Sequence, residues 1–477
     1  MILSPAQAAP ELLERTVAAD EMESAVAELM STMFDVTTEV PLKVALFRVE
    51  NTDEFVLALV IHHISGDGSS VAPLTRDLMT AYAARSMGSE PGWAPLAVQY
   101  ADYSIWQRDL LGSEDDADSM AAKQVAHWKQ ALADLPDQLD LPADRPRPAV
   151  QTFAGSKVDL QIDADTHRAR VELARSEGAT LFMVVHTALA VLLARLSGTD
   201  DIAIGTPMAG RGEAALDDMI GMFVNTLVFR TKVDGGEAFT ELLARQREDD
   251  IAAFANADVP FERLVEVLNP VRSTARHPLF QVGLSFQNLA DTTFELPGLT
   301  VSAVDYDSQL AKTDLHVTLY DRYTDDGAPA QLVTEFGYAI DLFDESTVQS
   351  FADRFVLLLD AVAADATIPV GDIDLLTTPE SAQIVTAWND TAHAVAADAT
   401  LVSLLDATVA ATPDAIALVV DDAQGRTPVG LATETVASAI DNSDAAGDTF
   451  AAGVAVADDG GSATAVETAG RIELTYA

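Results

Sequence analysis

The chain has 477 residues, 49% of them apolar, which is enough for two or three domains with a sizeable core. Its 75 acidic residues against 28 basic ones give a net charge of −47, and this argues against a nucleic-acid partner, because phosphate binding needs a basic face. The absence of cysteine excludes disulfides, thiolate zinc sites and a cysteine nucleophile, and it fits a reducing cytoplasm.

The sequence predicts neither a membrane span nor a signal peptide. No apolar stretch reaches the roughly 18 uncharged residues that a membrane helix needs. The N-terminus lacks a basic segment followed by a long apolar one. We therefore expect a cytoplasmic protein that does not interact with membranes. Its acidic composition predicts a well-solvated surface, and a docking surface for a basic partner is the alternative.

Residues 1–140 are predicted to form a first, N-terminal lobe. Strands are expected over 44–49 and 55–61, joined by a polar turn, and the second is apolar throughout, so we expect it to be buried. Residues 71–87 have the pattern of an amphipathic helix. The proline-rich segment 141–148 predicts a linker to a second lobe.

Residues 150–375 are predicted to form the second lobe, with helices and strands mixed throughout. The predicted helices are 180–196, 237–255 and 346–364. The predicted strands are 201–205, 280–287, 314–320 and 330–338. This mixture favours a layered fold of the α/β or α+β class.

The composition changes after the second lobe. Residues 376–399 are interpreted as a linker and residues 400–422 as the start of another domain. Residues 423–477 are acidic, of low complexity and nearly free of aromatic side chains. Such a segment buries little apolar surface, so we expect a poorly ordered tail.

Two histidines at the end of the second predicted strand are the strongest functional signal. His62 and His63 are followed by Asp67 and Gly68 before the predicted helix begins. An imidazole ordinarily titrates near neutral pH and therefore suits a catalytic base. Gly66 and Gly68 are expected to let the backbone bend tightly around the aspartate.

The pattern His-His-x-x-x-Asp-Gly resembles the signature of acyltransferases similar to chloramphenicol acetyltransferase. In particular, it is similar to the condensation domains of nonribosomal peptide synthetases. Four further motifs of that family follow in its order, over residues 100–106, 220–230, 258–262 and 272–280. Together the five motifs make the resemblance specific over residues 1 to 375.

This resemblance implies a fold of two chloramphenicol acetyltransferase-like lobes and an amide-forming reaction. Donor and acceptor peptidyl carrier domains would each present a thioester on a phosphopantetheine arm. The acceptor amine would attack the donor carbonyl, and much of the catalysis would come from positioning the two tethered substrates. The resemblance implies no covalently bound cofactor, and it adds an adenylation domain as a partner.

The resemblance also assigns roles within the histidine motif. His63 matches the catalytic position, where it would either take a proton from the amine or hydrogen-bond the tetrahedral intermediate. His62 is interpreted as structural. Gly68 would either offer its backbone N–H to the reacting carbonyl, as an oxyanion donor does, or serve only the turn.

The remaining motif residues are expected to be structural. In the family, the aspartate of the motif pairs with an arginine of the second lobe. By sequence position this pair would be Asp67 and Arg211. Asn225 is expected to stabilise the geometry of the second lobe.

The sequence departs from the family pattern at three places. Ser69 stands where the family usually has tryptophan. The family's two most N-terminal motifs are not recognisable, which predicts that the chain begins partway into the first lobe and that this lobe is incomplete. Residues 387–391 and 400–420 resemble the junction into an adenylation domain, but no phosphate-binding loop follows.

Three other functions stay open. The chain could be a noncatalytic fragment that docks carrier domains, or an acyltransferase that uses coenzyme A or a free amine. His62, His63 and Asp67 could also bind a metal ion, although no further ligand cluster completes such a site in the nearby sequence.

Overall fold

A computed structural model describes most of the first 429 residues. The described residues are 5–287, 295–296, 298–302, 304, 309–324, 326–392, 394, 399–413, 418–422 and 425–429. The chain separates into two units, residues 1–376 and residues 377–477.

The first lobe contains a three-stranded sheet in the order β1-β2-β3, with β1 parallel and β3 antiparallel to β2. Helix α2 packs on one face, where Val17, Ala45 and Phe47 form a small core with Ala25. The elements are α1 (Pro5–Ala8), β1 (Leu12–Val17), α2 (Met22–Met30), β2 (Leu42–Val49), β3 (Phe55–Ile61), α3 (Val71–Ser86), α4 (Tyr100–Leu111) and α5 (Met120–Ala131).

The expectation that the strand over 55–61 is buried is wrong. Phe55, Leu57 and Leu59 are 56%, 43% and 37% exposed. Alternate side chains of a strand point to opposite faces, and α2 packs only on the face that carries Val56 and Ala58. A continuous apolar run therefore does not reveal whether both faces of its strand are covered.

The second lobe is built on a six-stranded mixed sheet in the order β4-β11-β10-β7-β5-β6. Its core contains helices α6, α7, α8 and α10, and twelve of the 17 residues of α7 are buried. Its longer elements are β4 (Gly155–Ile162), α6 (Ala164–Ser176), α7 (Leu181–Ser197), β5 (Asp201–Met208), β6 (Asn225–Lys232), α8 (Phe239–Ala255), α9 (Phe261–Leu268), β7 (Val282–Gln287), β10 (Leu315–Tyr320), β11 (Leu332–Ala339) and α10 (Glu345–Ala364). A short hairpin, β8 (Glu295–Leu296) and β9 (Leu299–Thr300), lies between β7 and β10.

Helix α5 joins the two lobes. Trp128 is 1% exposed and packs in one cluster with Leu227 and Phe280. The Trp128 indole Nε1 donates to the carbonyl of Asn256 at 2.7 Å, and the Gln124 amide donates to Asp258 at 2.8 Å. These contacts fix the end of the first lobe against the second-lobe sheet before the chain enters the segment 141–148.

The second unit contains α11 (Thr378–Ala382), α12 (Leu401–Ala411) and a hairpin of β12 (Leu418–Asp422) and β13 (Gly425–Val429). Of the predicted tail, residues 425–429 form β13, whereas residues 423–424 and 430–477 lie outside the described residues. The boundaries at 140, 150, 375, 399 and 422 remain predictions.

Among the described helices, none is by itself long and apolar enough to cross a membrane. Helices α6 and α7, bent by 102° relative to each other, meet the length and composition requirement only as a pair.

Candidate active site

The histidine motif forms the connection from β3 to α3. His63–Ser65 and Gly68–Ser70 each form one 3₁₀ turn, separated by the extended Gly66. Asp67 caps the second turn: the Ser70 amide donates to its carboxylate at 3.0 Å, and the Asp67 amide donates back to Ser70 Oγ at 3.2 Å. This reciprocal cap sets the direction in which α3 begins.

The two histidines have different surroundings. His62 is half-buried, accepts a hydrogen bond from the Ile64 amide through Nδ1 at 3.1 Å, and contacts the Phe34 ring edge to face. His63 is exposed, and its ring has no hydrogen-bond partner among the residues that the structure describes. The His63 imidazole is therefore available to a substrate, whereas His62 takes part in the local structure.

Asp67 is buried at the contact between the lobes, with a side chain only 2% exposed. Its carboxylate accepts hydrogen bonds from the Phe223 amide at 2.9 Å and from Arg211 Nη2 at 3.1 Å, both in the second lobe. Within its own lobe it also accepts from the Ser70 hydroxyl, at 2.8 Å, and from the Ser70 amide. These contacts satisfy the buried charge.

Ser70 is the second polar link between the lobes, and it was not among the residues predicted from the sequence. Its Oγ lies 3.0 Å from Arg211 Nη2, 3.1 Å from the Gly221 amide and 2.9 Å from the Gly221 carbonyl. A hydroxyl donates once and accepts twice, so these neighbours and Asp67 engage all of its capacity. The spacing Asp-x-x-Ser before a helix was the available signal, because it is typical of a helix cap.

The second-lobe side of this contact is the loop of residues 209–224, which connects β5 to β6. Arg211 Nη1 donates to the Met219 carbonyl at 2.8 Å, and its guanidinium lies 4.2 Å from the centre of the Phe223 ring. Gly210 has a φ of +66°, and a Cβ there would lie 1.9 Å from the Phe223 carbonyl oxygen. The loop therefore holds the arginine in one place and requires glycine beside it.

Tyr100 of α4 closes the contact from the first lobe. Its hydroxyl donates to the Met222 carbonyl at 2.6 Å, and its ring lies 5.2 Å from the Phe223 ring. A Cβ at Gly221 would lie 2.3 Å from the Tyr100 ring, so the loop can approach this closely only with glycine. We refer to Asp67, Ser70, Tyr100 and the loop 209–224 as the latch.

The contacts of the latch lower the pKa of the Asp67 carboxyl group. Burial by itself would raise the pKa of Asp67, but hydrogen bonds from Phe223, Ser70 and Arg211, together with the charge of Arg211, outweigh it and hold the pKa below its ordinary value. Asp67 is therefore ionised at neutral pH and forms an ion pair with Arg211.

The expectation that Gly66 and Gly68 allow a tight bend is wrong. Gly66 has an extended φ of −168°, which any residue adopts. Gly68 also lies outside the left-handed region, and a Cβ there would meet no atom within 4 Å. The turn is shaped by the Asp67 and Ser70 cap, and the space beside Gly68 is open.

Asn225 lies at the start of β6, two residues beyond Phe223. Its amide nitrogen donates to the carbonyls of Ala257 and Val259, both at 2.8 Å. Its Oδ1 accepts from the amides of Thr226 at 2.9 Å and Phe261 at 3.0 Å. All four of these contacts lie within the second lobe, so Asn225 fixes the end of the latch loop and takes no part in the contact with Asp67.

The structure thus brings Asp67 and Arg211 together and leaves His63 exposed on the same loop. Within the part of the chain that the structure describes, no group of three or more histidine, aspartate or glutamate side chains could hold a metal ion.

Comparison with known proteins shows the family of this chain. A family model for the condensation domain matches residues 5–385. The chain belongs to the condensation-domain family. Condensation domains are the acyltransferase domains of nonribosomal peptide synthetases. The two relatives described next are named as nonribosomal peptide synthetases or synthases.

Two curated relatives illustrate the match. The chain is 46% identical over 409 residues to a probable non-canonical nonribosomal peptide synthetase, CymA, of Salinispora arenicola, covering 86% of this chain and 5% of the relative. It is 45% identical over 421 residues to a dimodular nonribosomal peptide synthase of Bacillus subtilis, covering 88% of this chain and 18% of the relative. The chain therefore spans less than a fifth of either relative.

Solved structures show the same fold. The X-domain of teicoplanin biosynthesis, solved in complex with OxyB, has a TM-score of 0.72 and 35% identity, covering 77% of this chain and 80% of that one. A four-domain nonribosomal peptide synthetase bound to AMP and glycine matches with a TM-score of 0.67 and 22% identity, covering 78% of this chain and 28% of that one. The predicted α/β class and the condensation-domain architecture are confirmed.

Replacing Asp67 with alanine should yield insoluble or unfolded protein. The change leaves the buried Arg211 charge without its carboxylate and the Phe223 amide without its acceptor, and breaking such a pair costs about 3–5 kcal/mol. Expression with soluble-fraction analysis and circular dichroism tests this. Asp53→Ala, an exposed aspartate of the same lobe, is the control and should stay soluble. Soluble Asp67→Ala with wild-type stability would contradict the structural role.

The Asp67 contribution to stability should disappear in acid. Its pKa is depressed in the folded state, so its contribution is present above the unfolded value of about 4 and is lost as pH falls through the lower folded value. Urea unfolding of the wild type and Asp67→Asn should show a constant difference in free energy from about pH 7 to pH 5 that shrinks below about pH 4. A difference independent of pH down to the acid limit would refute an ionised Asp67.

Proposed function

We propose that this chain forms an amide bond between an acyl thioester and an aminoacyl thioester, each carried on the phosphopantetheine arm of a peptidyl carrier domain. The observation that carries the proposal is the exposed His63 imidazole. It belongs to a loop that is fixed to the second lobe by Asp67, four residues after His63. The family membership reported above supports the same function.

The chemistry requires a base or hydrogen-bonding group beside the attacking nitrogen. The acceptor amine attacks the donor carbonyl, a C–N bond forms, the C–S bond breaks, and the donor arm leaves as a thiol. His63 would accept the proton of the amine or hydrogen-bond the tetrahedral intermediate, and either role requires an accessible ring. Because a thioester is already activated, holding the two arms in the correct relative position supplies much of the rate acceleration.

Gly68 is proposed to donate its backbone N–H to the developing oxyanion. Its amide has no hydrogen-bond partner among the described residues, and the space where a side chain would lie is open. An unengaged amide near a reacting carbonyl stabilises negative charge that forms only in the transition state.

The proposed partners follow from this reaction. They are a donor and an acceptor peptidyl carrier domain, with an adenylation domain that loads the acceptor. Their phosphopantetheine arms would be substrates, with no cofactor bound covalently to this chain. A cytoplasmic location is part of the proposal and fits a sequence without cysteine.

A second candidate function is a noncatalytic docking platform. It is favoured by the similarity to the X-domain of teicoplanin biosynthesis, which was solved in complex with OxyB. On this alternative, the same two-lobed surface would bind protein partners without forming product.

His63→Ala should reduce amide formation from two loaded carrier domains by about 100-fold or more, because general acid–base groups contribute about 10²–10⁴-fold. Single-turnover product formation measured by mass spectrometry tests this, and Asp53→Ala is the surface control. If both the wild type and His63→Ala bind the carrier domains and neither forms product, catalysis is rejected and the docking platform is supported. Product from coenzyme A thioesters or free amines at equal rates would reject carrier-bound substrates.

Gly68→Ala should separate stability from activity. Because the added methyl group meets no atom within 4 Å, we expect a midpoint of thermal unfolding equal to or above that of the wild type. The same methyl group would occupy the space through which a carbonyl reaches the amide, so the rate should fall. A folded Gly68→Ala variant with the wild-type rate would show that Gly68 does not meet the substrate.

A further inference from the structure

The second lobe contains a cavity of about 610 Å³ that is separate from the histidine loop and the latch. It lies where the end of α6, the start of α7, the end of α8 and the end of β7 meet. Phe182, Phe254 and Phe286 supply aromatic walls, and none of the latch residues lines it. Its volume is within the range of pockets that bind small molecules, about 300–1,000 Å³.

The wall of this cavity is held in a fixed position. The Phe182 ring lies 5.9 Å from the Phe254 ring and 6.3 Å from the Phe286 ring, in edge-to-face contacts. Behind it, Phe182 stacks on His186, whose Nδ1 lies 3.2 Å from the carboxylate of the fully buried Asp250. A ligand would therefore meet a preformed apolar surface, which lowers the entropic cost of binding.

The charged groups that line the cavity differ in whether they are already paired. Asp321 is 11% exposed, lies 3.1 Å from the buried His167 Nε2, and accepts from the Tyr323 hydroxyl at 3.2 Å. The Arg175 side chain is exposed in the last turn of α6, and it forms no ion pair or hydrogen bond with any residue in the described ranges. The cavity thus presents an unpaired guanidinium, whereas one oxygen of its carboxylate accepts from Tyr323 and the other faces His167.

We propose that this cavity binds an apolar carboxylate, such as a medium-chain fatty acid. The hydrocarbon chain would lie against the three phenylalanine rings, and the carboxylate would face Arg175. Guanidinium and carboxylate groups match in geometry and form two parallel hydrogen bonds. An alcohol of the same length lacks the charge, and an amine of the same length would be repelled by Arg175.

Isothermal titration calorimetry of the full chain with decanoate, below its micellar concentration, tests the proposal. We expect saturable binding of one decanoate and at least about tenfold weaker binding of decanol and decylamine, because a charge-assisted pair is worth about one order of magnitude in affinity. Arg175→Ala should lose the same factor of about ten. Arg168→Ala is the matched control, since Arg168 is an exposed residue of α6 that pairs with Asp165.

A second variant tests the location of the hydrocarbon chain. Ala179→Phe fills space at a cavity-lining, partly exposed position and should abolish decanoate binding while circular dichroism stays unchanged. Absence of saturable binding, equal affinity for decanoate and decylamine, or unchanged affinity in both Arg175→Ala and Ala179→Phe would overturn the proposal. These outcomes do not depend on amide formation, because neither residue lies in the histidine loop or the latch.

Discussion

The buried carboxylate of Asp67 is the interaction on which the geometry of the site depends. It belongs to a loop of the first lobe, but two of its hydrogen-bond donors, Arg211 and the Phe223 amide, belong to the second. A buried charge is tolerated only when it is paired and fully hydrogen-bonded. The histidine loop can therefore keep its place against the second lobe only in an arrangement that satisfies this side chain.

This constraint explains why a structural aspartate and an exposed histidine lie four residues apart. Asp67 and Ser70 fix the loop to residues 209–224, and Tyr100 holds that loop from the other side. His63 can then stay free of internal partners without losing its position. A site whose reactive group is exposed and whose supports are buried is preorganised, because substrate binding need not order the loop.

Much of this arrangement could be predicted from the sequence, and the rest depends on distant contacts. The strand before the histidines and the helix after them follow from local apolar patterns, and the family resemblance paired Asp67 with Arg211, which are in contact in the structure. The exposed face of β3 could not be predicted, because whether a strand is covered depends on which distant elements pack on each face of its sheet. Ser70 was missed because its contacts with Gly221 join residues 151 positions apart. Gly66 and Gly68 were misjudged because left-handed conformations were assumed, whereas Gly66 is extended and Gly68 begins a 3₁₀ turn.

The uncovered face of the three-stranded sheet also affects how molecules of this protein behave toward one another. Phe55, Leu57 and Leu59 expose apolar side chains to water, which favours association between molecules of the protein. A net charge of −47 opposes that by mutual repulsion. Repulsion is screened as ionic strength rises, with a Debye length of about 8 Å in physiological salt, whereas apolar attraction is not. Salt concentration thus sets the balance between dispersed molecules and clusters in solution.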